Sequence, residues 1–333
     1  MQRVAINGLG RIGRLFIRAY LQQEEKNFEI VAANDLACHD SLAYLMKYDT
    51  VHGRCPQDVS LEDDTLKIGD TSIKMFSEKD PANLPWKKLD IDLVLDCTGL
   101  FRRREQAALH QKAGASKVLI SAPSESADLT IVMGVNERQY DPAKHHIISN
   151  ASCTTNSLAP AMKVLLDNFG VEHALVTTVH AYTISQSIID KPTNKKVRGR
   201  GGASNIIPTS TGADKATVLV LPELKGKIAA TCLRVPIPDG AITDISVKLN
   251  QDVSAEEINK AFKDAAESTM KGVLDYTEDE IVSSDILGDS HSSIIHALST
   301  RVIQGRVAKI HTWYDNEFGY ASRLVDTAML MTS

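Results

Sequence analysis

The sequence predicts an α/β protein of two domains, and three observations support this prediction. The 333 residues exceed the usual size of a single hydrophobic core. Strand-like and helix-like segments alternate through the first 150 residues, and longer strands with fewer helices follow. A glycine-rich turn joins the first strand to the first helix. We therefore expect a doubly wound parallel sheet of the Rossmann type in residues 1–152 and an α+β domain with a mainly antiparallel sheet in residues 153–315.

The first strand, Arg3–Asn7, is followed at once by Gly8-Leu9-Gly10-Arg11-Ile12-Gly13 and by apolar residues at helical spacing. In a dinucleotide site Gly8 permits the tight turn, and Gly10 lets the backbone approach a pyrophosphate. Gly13 lets the helix pack closely on the strand. The phosphates would lie at the N-terminus of this helix. The alternative is an ordinary tight loop.

A second strand, Phe28–Ala33, ends at Asn34-Asp35, about 20 residues beyond the last glycine. A carboxylate at this place accepts a hydrogen bond from the 2′-hydroxyl of the adenosine ribose and repels a 2′-phosphate. Asp35 therefore favours NAD over NADP. The alternative for Asp35 is a helix cap.

Further elements are predicted by the same periodicity. Thr98, Gly99 and Ser121 follow strands and are expected to line the cofactor crevice. The helix 316–333 is expected to return to the first domain. The other predicted strands are 92–97, 117–121, 129–133, 174–179 and 307–314, and the other predicted helices are 102–113, 318–331 and one that follows a capping box at Ser254.

Composition excludes several classes of function. The net charge of −5 argues against a nucleic-acid surface and against a polybasic membrane patch. No apolar run approaches transmembrane length, and no signal region opens the chain. Five cysteines without a Cys-x-x-Cys spacing predict neither a metal site nor a disulfide framework. We expect a cytoplasmic protein with free thiols.

Cys153 is the candidate nucleophile. It lies among small hydroxyl and amide side chains, in Ser149-Asn150-Ala151-Ser152-Cys153-Thr154-Thr155-Asn156, directly after an apolar strand. At a strand-to-helix junction, unpaired N–H groups and the helix dipole favour the thiolate. A helix that begins here would have to bend at Pro160. The alternative is a cysteine that packs under a turn.

A cysteine nucleophile needs a base, and His180 is the candidate because it ends a predicted strand among hydroxyl neighbours. A merely packed histidine is the alternative. A further set of residues is suited to hold an oxyanion or phosphate. Arg198 and Arg234 offer cations, and the Thr211-Gly212 pair offers a hydroxyl and an open backbone. A mobile surface loop and a structural ion pair are the alternatives for the two arginines.

Six segments together resemble the phosphorylating glyceraldehyde-3-phosphate dehydrogenase family, over essentially the whole chain. The cysteine segment is the most specific of them. The segments are Val4–Arg14, Ser149–Asn156, His180–Thr183, Ser210–Ala213, Leu233–Pro236 and Trp313–Glu317.

The resemblance implies that Cys153 attacks the aldehyde of glyceraldehyde 3-phosphate and that His180 is the base. Inorganic phosphate would then cleave the thioester to an acyl phosphate. It further implies that Thr183 and Arg234 bind the substrate phosphate. Ser152, Thr154, Thr211, Gly212 and either Arg198 or Arg200 would bind the attacking phosphate. The implied NAD contacts are Arg11, Ile12, Asp35, Lys79, Ser121 and Asn316.

The resemblance also implies a homotetramer and leaves two alternatives. Erythrose-4-phosphate dehydrogenase shares much of the pattern, and a non-catalytic NAD-binding protein could have inherited the fold. Lys191 stands where NAD-specific members often have Leu or Gly, so some tolerance of NADP is left open.

Overall fold

A computed structural model describes all 333 residues. The chain divides into two compact units. The first comprises Met1–Ile131, Glu137–Ala151 and Ala321–Ser333, and the second comprises Val132–Asn136 and Ser152–Tyr320.

The first unit is built on a nine-stranded sheet with the strand order β10-β11-β9-β8-β1-β2-β7-β6-β5. Its strands pair in parallel from β10 to β7, and β6 and β5 add an antiparallel edge. The doubly wound parallel sheet is thereby confirmed. A separate two-stranded sheet consists of β3 and β4. The strands of this unit are β1 Gln2–Asn7, β2 Phe28–Asn34, β3 Tyr48–Asp49, β4 Gly53–Arg54, β5 Val59–Glu62, β6 Thr65–Ile68, β7 Thr71–Phe76, β8 Leu93–Asp96, β9 Lys117–Ile120, β10 Leu129–Thr130 and β11 Ile147–Ser149.

Three helices belong to the first unit: α1 Arg11–Leu21, α2 His39–Lys47 and α3 Arg104–Lys112. Apolar residues at helical spacing give α1 its buried face, which includes Leu15 and Phe16. Phe16 stacks on Phe28 of β2 with ring centroids 6.3 Å apart. This contact is part of the core between the helix and the sheet.

The C-terminal helix, α7 Phe318–Met331, contributes its residues from Ala321 onward to the first unit. Thr327 accepts a hydrogen bond of 3.0 Å from the buried Asn150 Nδ2. The ammonium of Lys117 donates to the carbonyl of Met331 at 2.7 Å. These contacts attach the end of the chain to the side of the sheet that contains β9 and β11.

The second unit is built on an eight-stranded sheet with the order β13-β14-β12-β15-β19-β17-β16, and β18 pairs beside β19. Five of its seven strand pairings are antiparallel, so the predicted mainly antiparallel sheet is confirmed. The strands are β12 Val171–Ala181, β13 Ile207–Thr209, β14 Ile228–Val235, β15 Ala241–Leu249, β16 Leu274–Thr277, β17 Ser293–His296, β18 Arg301–Ile303 and β19 Val307–Tyr314.

Buried and less buried residues alternate along β15 and β19, as in a sheet with one covered face. The helices of this unit are α4 Cys153–Phe169, α5 Ala213–Val220 and α6 Ala255–Glu267. Helix α4 packs on β15, β17 and β19. Pro160 lies inside α4, which continues beyond it to Phe169. The capping box predicted at Ser254 is present at the start of α6.

One predicted strand is much shorter than expected. Residues 129–133 form a strand only at Leu129–Thr130. The amide of Val132 donates to Asn136 Oδ1 at 2.9 Å, and the amide of Val135 donates to the carbonyl of Val132 at 3.1 Å. The apolar run therefore ends in a turn, which periodicity does not reveal. None of the helices combines the length and the apolar character needed to span a bilayer.

We expect Gly13→Ala to lower the free energy of unfolding by about 1–3 kcal/mol, because it overpacks a close contact. A Cβ atom at Gly13 would lie 2.1 Å from the carbonyl oxygen of Gly8. The matched control is Gly10→Ala, since a Cβ at Gly10 meets no atom within 4 Å. Urea denaturation of the ligand-free protein measures both. Equal losses in the two variants would contradict this account of the turn.

Candidate active site

The glycine turn of the first unit has the shape that a pyrophosphate requires. Gly8 has φ +96°, which a residue with a side chain rarely adopts, and its amide donates to the carbonyl of Asn34 at 2.8 Å. Gly10 precedes α1, borders open space and provides no side-chain cap for the helix. The helix N-terminus therefore presents its amides to an anion. The side chain of Arg11 forms an ion pair with Asp49, with N···O distances of 2.8 and 3.2 Å.

Asp35 lies at the end of β2, beside this turn. Its Oδ2 accepts from the amide of Leu9 at 2.7 Å, and its Oδ1 accepts from the amide of Ala37 at 2.9 Å. The two bonds fix the carboxylate, and each oxygen retains acceptor capacity for a ribose hydroxyl. The residues of the turn and Asp35 therefore fit NAD.

A buried polar network beneath the crevice was missed by the sequence analysis. Asp96 Oδ2 accepts from Asn7 Nδ2 at 2.9 Å and pairs with His110 Nε2 at 3.2 Å. The other carboxylate oxygen accepts from the amide of Thr98 at 3.1 Å. His110 Nδ1 accepts from the indole of Trp86 at 3.0 Å. The network fixes the ends of β1 and β8, from which the crevice residues follow.

The other cofactor candidates of the first unit lie at strand ends. Ser121 follows β9, and its amide donates to the carbonyl of Asp96 at 3.0 Å. Lys79 is exposed beyond the end of β7. Ile12 is the second residue of α1.

Asn316 belongs to the second unit and follows β19. It is buried, and its Oδ1 has no hydrogen-bond partner. A buried acceptor without a partner is costly unless a ligand donates to it, so this oxygen is suited to accept a hydrogen bond from a ligand N–H. The neighbouring Asp315 accepts from the amides of Gly288 and Phe318, each at 2.7 Å, and so fixes this segment.

Cys153 is the first residue of α4, and the chain reaches it through an unusual backbone. Ala151 is buried with φ +54°, a conformation that is strained for alanine. Ser152 caps the helix, with its Oγ accepting from the amide of Thr155 at 3.1 Å. The half-buried Cys153 thus lies at a helix N-terminus, as the sequence predicts.

His180 lies on β12 and faces the thiol. Its Nε2 is 3.5 Å from Cys153 Sγ. On the far side of the ring, Nδ1 lies 2.8 Å from the carbonyl oxygen of Ala181 and 2.6 Å from Nη1 of Arg234. Arg234 reaches this position because β14 pairs in parallel with β12 and places it opposite His180. The second unit thus brings three predicted residues together.

Burial shifts both groups toward their neutral forms. Burial first, and then the positive charge of Arg234, lower the pKa of His180 to about 3. Burial raises the pKa of Cys153 to about 11, against the opposing charge of Arg234 and the hydrogen bonds of Thr154. Burial thus opposes the helix N-terminus, which favours the thiolate that the sequence predicts.

Tyr314 connects the elements that carry the pair. Its hydroxyl lies 3.0 Å from Thr154 Oγ1 on α4 and 2.8 Å from Thr178 Oγ1 on β12. Its ring meets the His180 ring edge to face, with centroids 6.0 Å apart. Burial raises the pKa of Tyr314, so it remains a neutral donor and acceptor. Sequence reasoning gave it no role, although it lies in a segment that carries the family resemblance.

Two arginines bring positive charge without a carboxylate partner. Arg198 donates to Thr209 Oγ1 at 3.0 Å and to Ser185 Oγ at 3.2 Å, and Thr183 Oγ1 is 2.8 Å from the same Ser185 oxygen. Burial and then the charge of Arg234 lower the pKa of Arg198.

Neither Arg198 nor Arg234 forms an ion pair with an acidic side chain, whereas Arg200 is paired with Asp190 at 2.6 Å. The two unpaired guanidinium groups are suited to bind an anion.

The remaining phosphate candidates lie at helix starts or in contact with other side chains. Gly212 precedes α5 and borders open space, and Thr211 Oγ1 accepts from the amide of Ala213 at 3.2 Å. Thr154 is buried against Tyr314. Lys191, the residue because of which tolerance of NADP was left open, is exposed in the second unit.

The fold and its nucleotide crevice define the class, an NAD-dependent oxidoreductase. Two family models match the chain. Residues 2–104 match the NAD binding domain of glyceraldehyde 3-phosphate dehydrogenase, and residues 152–316 match its C-terminal domain.

Related proteins match over nearly the full length. The chain is 52% identical to glyceraldehyde-3-phosphate dehydrogenase 2 of Streptomyces avermitilis, covering 99% of this chain and 98% of that protein. It is 51% identical to glyceraldehyde-3-phosphate dehydrogenase 1 of Bacillus subtilis, covering 98% of this chain and 97% of that protein. It is 50% identical to the glyceraldehyde-3-phosphate dehydrogenase of Geobacillus stearothermophilus, covering 99% of this chain and 98% of that protein. The chain belongs to the glyceraldehyde-3-phosphate dehydrogenase family.

The pKa of His180 predicts an acid-dependent stability. Because the folded pKa is about 3 and the ordinary value is 6.5, the unfolded state binds the proton first as pH falls through this window, and stability is lost. His180→Asn should lose about 2–3 kcal/mol less free energy of unfolding than the wild type between pH 7 and 4.5. His173→Asn, at an exposed histidine, is the control. Identical pH dependence in wild type and His180→Asn would contradict the assignment.

Asp35→Asn should change cofactor choice, because it removes the charge that repels a 2′-phosphate while keeping an oxygen acceptor for the Leu9 amide. We expect the ratio of kcat/KM for NAD to that for NADP to fall by about tenfold or more. Initial rates with each cofactor measure it. An unchanged ratio would show that discrimination lies elsewhere.

Proposed function

We propose that this protein oxidises D-glyceraldehyde 3-phosphate with NAD and inorganic phosphate to 1,3-bisphosphoglycerate, a reaction of glycolysis and gluconeogenesis. The relatives at about half identity carry this enzyme's name. We propose further that residues 1–152 bind NAD, with help from the helix 316–333, and that residues 153–315 carry the chemistry.

The observation that supports this proposal best is the arrangement around Cys153. A thiol lies 3.5 Å from an imidazole nitrogen, and Arg234, which contacts the same imidazole, has no acidic partner. The covalent oxidation of an aldehyde that bears a phosphate requires three features: a nucleophile, a base and an anion site.

In the first step, Cys153 attacks the aldehyde carbon and forms a hemithioacetal. His180 takes the thiol proton through Nε2, which faces the sulfur, and passes it to the alkoxide oxygen as the hemithioacetal forms. The same nitrogen then takes the hydroxyl proton as the hydride leaves. Thr183 and Arg234 hold the substrate phosphate. Bound NAD supplies the hydride acceptor. Asn316 orients the nicotinamide through its buried amide oxygen.

In the second step, inorganic phosphate cleaves the thioester on Cys153. Arg198 is the better of the two arginine candidates for this anion, because Arg200 is neutralised by Asp190. Thr211, Gly212, Ser152 and Thr154 complete the site, and the starts of α4 and α5 supply N–H groups. Covalent capture divides oxidation and phosphorylation into two easier steps.

We also propose a homotetramer in the cytoplasm. Ile184, Ile188 and Ile189 are exposed on the loop after β12, and such an apolar patch supports contact with another subunit. The five cysteines are all free, which supports a reducing compartment.

Cys153→Ser should reduce the rate of NAD reduction with glyceraldehyde 3-phosphate and inorganic phosphate by more than about 10³-fold, because the nucleophile is lost. The matched control is Cys38→Ser, at an exposed thiol in the first unit. The absorbance of NADH reports the rate. A Cys153→Ser variant that keeps most of its activity would refute the mechanism.

The same assay separates the substrates. We expect a higher kcat/KM for glyceraldehyde 3-phosphate than for erythrose 4-phosphate, and a steady-state rate that requires inorganic phosphate. A preference for erythrose 4-phosphate, or turnover that does not depend on inorganic phosphate, would contradict the proposed function and favour an erythrose-4-phosphate dehydrogenase.

A further inference from the structure

The buried polar network beneath the crevice joins four segments of the first unit. In each segment the residue that takes part in the network stands directly before a residue that we propose to contact NAD or to line its crevice. These pairs are Asn7 and Gly8, Asn34 and Asp35, Glu78 and Lys79, and Thr98 and Gly99. The network therefore determines how the four segments are placed relative to one another.

At one end, the network is anchored by the backbone of Glu78. Its amide donates to Asn34 Oδ1 at 2.8 Å, and its carbonyl oxygen accepts from Asn34 Nδ2 at 2.9 Å. Because the amide can only donate and the carbonyl can only accept, the Asn34 side chain has one orientation. Its nitrogen also donates to Asn7 Oδ1 at 2.8 Å, so the nitrogen of Asn7 faces Asp96, at 2.9 Å from Oδ2.

At the other end, the network is anchored by the indole of Trp86. An indole N–H can only donate, and it donates to His110 Nδ1 at 3.0 Å. A hydrogen on Nδ1 would put two donors face to face, so the ring hydrogen of the buried His110 lies on Nε2. That nitrogen donates to Asp96 Oδ2 at 3.2 Å. It also lies 3.4 Å from the nitrogen of Asn7, because both donors share this carboxylate oxygen.

The second oxygen of Asp96 receives two more donors. The amide of Thr98 donates to Oδ1 at 3.1 Å, and the hydroxyl of Thr98 lies 2.8 Å from the same oxygen. This hydroxyl accepts from the amide of Leu100 at 3.1 Å and so directs its hydrogen to Asp96. Four donors thus converge on a side chain that is 1% exposed. A carboxylate accepts at both oxygens, whereas an amide of the same shape would turn N–H groups toward donors.

We propose that Asp96 is a positioning residue for NAD. From beneath the crevice, its carboxylate holds the glycine turn, the strand end that carries Asp35 and the Thr98-Gly99 turn in the places that the cofactor requires. This inference rests on the proposed NAD-contacting residues. Because the hydrogen bonds are complete in the ligand-free protein, the crevice is formed before NAD binds, which lowers the ordering cost of binding. Loss of the carboxylate should therefore weaken NAD binding and spare the chemistry at Cys153, which belongs to the other unit.

The direct test is calorimetric titration of ligand-free Asp96→Asn with NAD. We expect the Kd to rise by about tenfold or more, because the new N–H groups face donors and the turns lose their common anchor. In the steady-state assay the KM for NAD should rise by a similar factor, while kcat at saturating NAD and the KM for the aldehyde change by less than about twofold. A folded Asp96→Asn that binds NAD as tightly as the wild type would overturn the inference.

A second test exchanges the two partners in Asn7→Asp/Asp96→Asn. The amide at position 96 can keep its oxygen toward Thr98 and donate to the carboxylate at position 7, which also lies within reach of His110 Nε2. We expect the double variant to recover the Kd for NAD to within about threefold of the wild type. Asn7→Asp alone, which brings two carboxylates together, should weaken binding by about tenfold or more. A double variant no better than either single variant would overturn the inference.

A milder pair of variants separates positioning from general stability. Trp86→Phe keeps an aromatic ring and removes only the donor that fixes His110, so we expect the Kd for NAD to rise about threefold. The matched control is Tyr20→Phe, which removes an equally buried hydrogen bond of 2.8 Å to the carbonyl of Phe28 at the far end of β2. Its Kd should stay unchanged. Equal Kd values for these two variants would overturn the inference.

Failure of this role and failure of the proposed function give different results. If the wild type does not bind NAD, the proposed function fails. If the wild type binds NAD and Asp96→Asn and Trp86→Phe bind it equally well, only the role of Asp96 fails.

Discussion

The parallel pairing of β12 with β14 is the constraint on which the candidate site depends. It places Arg234 opposite His180, and Cys232 opposite Thr178, in one register. A slip of one residue would turn every side chain of one strand to the other face of the sheet. The antiparallel neighbours β15 and β19 continue the sheet, and Tyr314 at the end of β19 reaches Thr178 on β12. The chemistry is thus set by sheet geometry.

The electrostatics of this region follow from two arginines that have no acidic partner. Arg198 and Arg234 have neutral oxygens or an imidazole nitrogen as partners, although the chain as a whole is acidic with a net charge of −5. Burying cations without counter-ions costs stability, which a bound anion offsets. The same charge holds the pKa of His180 low. The guanidinium that we propose as a phosphate ligand therefore also lowers the pKa of His180.

Much of the fold was predictable because its signals are local. The glycine turn, the helix after it and Asp35 lie within a single strand-turn-helix-strand segment, and Ser254 shows its capping box within four residues. Cys153 was identified by its neighbours along the chain. The local sequence does not reveal that the apolar run after Leu129 turns at Val132. The turn depends on a hydrogen bond that the amide of Val132 donates to Asn136 Oδ1.

The rest depends on contacts between residues far apart in sequence. His180 and Arg234 are separated by 54 positions, and Thr154 and Tyr314 by 160. Pattern reasoning could name His180 and Arg234 but could not place one beside the other, and it gave Tyr314 no role. It predicted a thiolate at Cys153 without the opposing effect of burial, which depends on the packed structure and not on the neighbouring residues.

Tyr314 has a mechanical consequence. One hydroxyl touches both the helix that begins with Cys153 and the strand that carries His180. Thermal fluctuations of these two elements should therefore be correlated, and the gap between sulfur and imidazole should vary less than the position of either element. Cys153 and His180 would then keep their alignment while the surrounding sheet fluctuates.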